Sequence, residues 1–163
     1  MQKVTLEKLR FFVPNKFGPT HGDLTFENIL FSNKGQVKLI DMDGSEFIDA
    51  LELDLGKMFQ SIISQYESWA HSRPILFKST SFQEIETQYK LEEVDNDILD
   101  LCLTYWSKIL GTSKDQVYMK GLFFLSLHLI RMIPFRLKVS EDQALFAAVQ
   151  STKFLNKTLN DFK

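Results

Sequence analysis

The chain has 163 residues, long enough for one domain with a real hydrophobic core. Apolar residues make up 44% and charged residues 25%, an ordinary globular balance, and a net charge of −2 gives no basic footprint for nucleic acid. The single Cys102 excludes an internal disulfide and fits a reducing, cytoplasmic compartment.

No apolar run approaches the roughly 18 residues of a bilayer span, so no membrane association is expected. The charged first ten residues carry no secretory apolar region. In chain order, Val4, Leu6, Leu9 and Phe12 predict the end of a helix, broken by Pro14 and Gly18-Pro19. Residues 20–53 read as a polar loop, two short strands joined through a Gly-containing turn, and a connecting loop. Leu55, Met58, Phe59, Ile62, Ile63, Tyr66 and Trp69 then share one helical face, with Asp54 at the helix start.

Residues 70–81, with Pro74 and a Ser/Thr cluster, read as a loop, and residues 82–91 as a short helix. Ile98, Leu101, Cys102, Tyr105 and Ile109 mark another helix, ended by Gly111. Residues 116–137 are apolar nearly all round, as in a helix at the middle of its domain, with Pro134 ending or kinking it. Residues 141–162 predict a last amphipathic helix. The fold class expected is mainly α with a small β-hairpin, in a single domain: motif loop and hairpin over 20–54, helical bundle over 54–163.

The residues that carry chemistry lie in the octet His21-Gly22-Asp23-Leu24-Thr25-Phe26-Glu27-Asn28, followed thirteen residues past Asn28 by Asp41. The pattern H-x-D-L-x-x-x-N is that of a kinase catalytic loop, and Asp41 falls where the metal-binding Asp that follows it belongs. Asp23 is the candidate base for an acceptor hydroxyl. Asn28 and Asp41 are candidate ligands of Mg²⁺, a hard cation that favours oxygen donors. Asp43 is a candidate for a second metal or a cationic substrate, against an exposed turn acid. His21 and Asp54 are expected to support the loop, Asp54 by receiving its backbone N–H groups. His128 and Arg131, three apart on a buried-looking helix, are expected to be satisfied internally rather than to line a substrate pocket.

A competing pattern runs from Asp41 to Glu52, with oxygen side chains at positions 1, 3, 5, 9 and 12 of an EF-hand-like calcium loop. It has Glu46 where the sharp turn wants Gly, and a strand rather than a helix leads into it.

The run from His21 to Asp54 resembles the aminoglycoside phosphotransferase and choline kinase group of small-molecule kinases. The resemblance implies the helical C-terminal lobe of the protein-kinase-like fold, with Asp23 as base, Asn28 and Asp41 as metal ligands and Asp54 as the loop brace. Only twelve residues separate Asp41 from Asp54, with no A-P-E element, so a small hydroxylated acceptor is favoured over a protein. ATP and Mg²⁺ are the implied co-substrate and cofactor. The acceptor stays open among an aminoglycoside, choline and a sugar. Asp43, Glu46, Asp49 and Glu52 would suit a cationic one.

The family's N-terminal β-rich lobe is absent from the twenty residues before His21. The expectation is therefore a catalytic half-site, inactive alone, whose missing lobe or partner chain covers an apolar surface near residues 4–17. That surface would also serve self-association. The alternative is a non-catalytic kinase-like binding module.

Overall fold

A computed structural model describes residues 6–42, 49–71, 76–81, 84–87 and 89–161. The chain is mostly helical. A short α1 (Leu6–Arg10) leads into the octet, whose last three residues form a single 3-10 turn (Phe26–Asn28). Two three-residue strands follow, β1 (Ile29–Phe31) and β2 (Val37–Leu39), paired antiparallel with Ile29 opposite Leu39. Gly35 supplies the left-handed residue their turn needs, at φ 73°.

Helix α2 (Leu51–Ile62) begins three residues before Asp54, which therefore sits within its first turn rather than at its start. Next come α3 (Tyr66–His71), α4 (Asn96–Leu110), α5 (Lys114–Leu137) and α6 (Glu141–Asp161). Local signals set the ends of α4 and α5. The Asp95 carboxylate accepts from the Asp97 and Ile98 N–H groups, and Gly111 closes α4 in the left-handed region at φ 66°. Ser113 and Gln116 then cap α5 reciprocally.

Three expectations need correction. Residues 84–87 are a strand, β4 (Glu84–Thr87), paired antiparallel with β3 (Leu76–Ser81), where a helix and a loop were expected. The Ser/Thr-rich 76–81 stretch suits a strand once it has a partner, and pairing is not visible in periodicity. Of the two outcomes expected at Pro134, ending the helix is excluded, because it lies inside α5, which runs on to Leu137. Finally, α5 is long and apolar enough to cross a bilayer by length and composition, where no such run was expected. Here it is the central packing helix, lying along α2, α4 and α6.

The core forms where α2, α5 and α6 meet: Leu55, Phe59, Trp69, Val117, Leu122, Leu125, Leu129 and Phe146 are fully buried. Two glycines let α2 and α5 come close. A Cβ on Gly56 would lie 2.6 Å from Phe124 Cβ, and one on Gly121 would lie 2.3 Å from the Phe59 ring. At the N-terminal face Leu6, Val13 and Phe17 are exposed, as expected of that segment. Phe12 instead is buried, its ring stacked on Phe123 at 4.4 Å.

Candidate active site

The octet loop rides on one face of α2. Asp54, Lys57 and Ser61 follow at helical spacing and point the same way, and each holds a different part of the loop. The Asp54 carboxylate accepts from the backbone N–H of His21 (2.7 Å) and of Gly22 (2.9 Å). Lys57 Nζ pairs with Asp23 Oδ1 at 2.8 Å. Ser61 Oγ accepts from the Phe26 N–H at 2.9 Å. Gly22 sits at φ 82°, a conformation that a side chain would resist. Asp54 therefore braces the loop as expected. His21 is buried beneath it, its Nδ1 accepting from the Asp23 N–H at 3.3 Å.

Asp23 is held from both sides. Asn28 Nδ2 donates to the Asp23 backbone carbonyl (2.7 Å) and to Oδ2 (3.0 Å), while Lys57 holds Oδ1. The Asn28 amide oxygen remains for other work. The hairpin then returns the chain: the Ile40 N–H donates to the Asn28 carbonyl at 3.0 Å, which sets Asp41 beside the loop. Asp41 is a non-glycine residue at φ 56°. Such backbones cost roughly 1–3 kcal/mol and cluster at functional sites. Asp23 and Asp41 line one polar cavity of about 420 Å³ together with Gly22, Met42, Lys57 and Arg131.

A second cavity of about 340 Å³ is also lined by Asp23 and Lys57. Its walls include Gln60, Tyr66, Phe135 and Arg136. The Arg136 guanidinium stacks over the Tyr66 ring and donates to its hydroxyl and to Gln143 Oε1. Burial lowers its pKa, against the opposing pull of Glu27. His128 Nε2 donates to the Leu53 carbonyl at 3.0 Å; burial first, and then the Lys57 charge, bring its pKa down to about 4. The expected internal hydrogen bond of His128 is thus present, and Arg131 lines the Asp41 cavity.

Asp43 and Glu46 lie outside the described residues. Glu52, position 12 of the calcium-loop pattern and one of the four acids expected at the mouth, faces inward. It is fully buried and paired with Lys120 at 2.9 Å, and it also accepts from the Asn15 N–H. Loop position 12 is therefore turned into the helix packing. The strand β2 leads into Asp41 where an EF-hand has a helix.

Sequence reasoning missed Lys57, Gln60, Tyr66 and Arg136. Lys57 had a signal, since it follows Asp54 by one turn and must share its face. The others converge from α2, α3 and α5 and had none. No family model, curated protein or solved structure matches this chain.

Proposed function

We propose that this chain is the catalytic and Mg²⁺-binding lobe of an ATP-dependent phosphotransferase acting on a hydroxyl of a small molecule, like the aminoglycoside phosphotransferases and choline kinases that its motif resembles. One observation carries the reading. The candidate base Asp23 and the candidate metal acid Asp41 share one polar cavity with the cations Lys57 and Arg131. That set suits a polyphosphate, whose charge needs both a metal and fixed cations.

The residues fit the metal. Asp41 offers a hard anionic oxygen, and Asn28 spends its NH₂ group on Asp23 while its amide oxygen accepts no hydrogen bond among the described residues. No group of three His, Cys, Asp or Glu side chains gathers among the described residues, at this site or away from it. One carboxylate plus one amide is the kind of sparse protein set Mg²⁺ accepts when phosphate oxygens and water complete its shell. When bound, Mg²⁺ would neutralise phosphate charge and orient the ATP phosphates.

The chain's own residues then do the rest. Asp23, fixed by Asn28 and Lys57, accepts the acceptor's hydroxyl proton as the oxygen attacks the γ-phosphorus. Lys57 and Arg131, which line the same cavity as Asp23 and Asp41, would meet the added negative charge of the phosphates with fixed cations. Asp54 and Ser61 hold the loop so that little reorganisation is needed. Turnover by this chain alone is expected to fall well below the roughly 1–100 s⁻¹ of ordinary kinases, because no strand lysine over the phosphates is among the described residues.

Mn²⁺ in place of Mg²⁺ tests the site directly. In NMR spectra of the labelled chain, Mn²⁺ with ATP should broaden the amides of residues 22–28 and 40–42 first, and Asp41→Ala should remove the effect. Uniform broadening, or broadening unchanged in Asp41→Ala, would leave a kinase-like module without a working metal site.

A further inference from the structure

The two cavities share Asp23 and Lys57 as a common wall. A base that takes a hydroxyl proton during phosphoryl transfer has the donor on one side and the acceptor on the other. Asp41 marks the donor side. The cavity of Gln60, Tyr66, Phe135 and Arg136 is then the acceptor side, and its lining can be read for what it would hold.

Its cation is available. Arg136 is half-buried and spends N–H donors on Gln143 and on the Tyr66 hydroxyl. Among the described residues no carboxylate lies within ion-pair distance of it. A guanidinium has five N–H donors in a planar fork, so donors remain for a carboxylate or phosphate. A second, independent feature lies in the same wall. Gln60 is 1% exposed, and its Oε1 is buried with no hydrogen-bond partner among the described residues. A buried acceptor left unmet is costly, and a ligand hydroxyl would satisfy it.

The cavity's carboxylates each have a partner, and the Glu27 charge also acts on Arg136. Glu27, the cavity's other carboxylate besides Asp23, faces His71 at 3.0 Å, and Asp23 faces Lys57. Glu52, once expected at the mouth, points into the interior. The volume of about 340 Å³ is at the small end for ligand pockets, the scale of a single sugar ring.

We propose, resting on the phosphotransferase reading, that the acceptor is a small hydroxylated anion, a sugar acid or sugar phosphate, with its anionic group on Arg136 and a hydroxyl on Gln60. An amine-bearing acceptor is disfavoured, because it would bring a cation against an Arg that has no carboxylate at ion-pair distance among the described residues.

Calorimetry without nucleotide tests this, using glucose, glucosamine, glucuronate and glucose 6-phosphate at fixed ionic strength. Glucuronate or glucose 6-phosphate should bind at least about tenfold tighter than glucose and glucosamine, the scale of one charge-assisted contact, and the two anions show which group the fork prefers. Arg136→Gln should erase the preference, and Arg136→Lys should keep only part of it, since a lysine lacks the fork. Gln60→Leu should weaken all four sugars alike. If Arg136→Gln unfolds, Arg136→Lys and a salt titration of the native chain still decide. Equal binding of the four, preference for glucosamine, no binding at millimolar sugar, or indifference to Arg136 overturns the proposal. Arg136-dependent anion binding by a chain that ignores Mg–ATP would leave the anion site standing and remove the phosphotransferase reading. The reverse result would do the opposite.

Discussion

His128 links the loop platform to the core through one protonation state. Its Nε2 proton is committed to the Leu53 carbonyl, and its ring packs where a Cβ on Gly56 would come, 2.9 Å away. Burial, with the charges of Lys57 and Arg131, holds its pKa near 4 against an ordinary 6.5. The folded state therefore refuses a proton that the unfolded chain accepts between those values. The stabilisation is complete above about pH 6.5 and is lost as pH falls toward 4, by roughly 3 kcal/mol in all. Urea unfolding of the native chain across this window should show that loss, and His128→Gln should show a much flatter profile. An equal slope in both proteins would place the titration elsewhere. Asp23, Asn28 and Asp54 were legible as residues because a short motif fixes their spacing. Lys57 was legible in principle, one turn after Asp54. Gln60 and Arg136 were not, because a cavity wall built from three helices leaves no trace in local order.

At the scale of elements, α2 is the platform. It offers Asp54, Lys57 and Ser61 to the loop on one face and packs its Gly56 against α5 on the other. A Cβ at Gly56 would meet the Phe124 backbone carbon at 2.9 Å, and backbone cannot swing aside as a side-chain tip can. Alanine gains about 1 kcal/mol of helix propensity over glycine, and overpacking costs roughly 1–3 kcal/mol. Gly56→Ala should therefore lose up to about 2 kcal/mol in denaturant melts, and the amides of residues 21–23 should shift in NMR spectra as α2 is pushed. A variant as stable as the native chain with an unshifted loop would mean that the helices separate freely. The β1–β2 hairpin was readable because turn and strands are adjacent in sequence and carry the Gly35 signal. The β3–β4 hairpin was not, because its strands gain their preference only from each other and from the α6 surface nearby.

For the whole molecule, the helices and the loop form one argument. The buried Glu52–Lys120 pair joins α2 to α5, and Asn15 adds the incoming segment to the same carboxylate. The broad class, mainly α with a small hairpin, followed from periodicity. The two-chamber arrangement around Asp23 did not, since it depends on how α2, α3 and α5 cross. Leu6, Val13 and Phe17 leave an exposed apolar face at the N-terminal end. The central claim is that this assembly binds nucleotide through a metal held by Asp41. Calorimetry of ATP, with and without Mg²⁺, on the native chain and on Asp41→Ala tests it most directly. The account predicts binding that requires both Mg²⁺ and Asp41. Binding that survives the loss of either, or no binding at millimolar Mg–ATP, would contradict it.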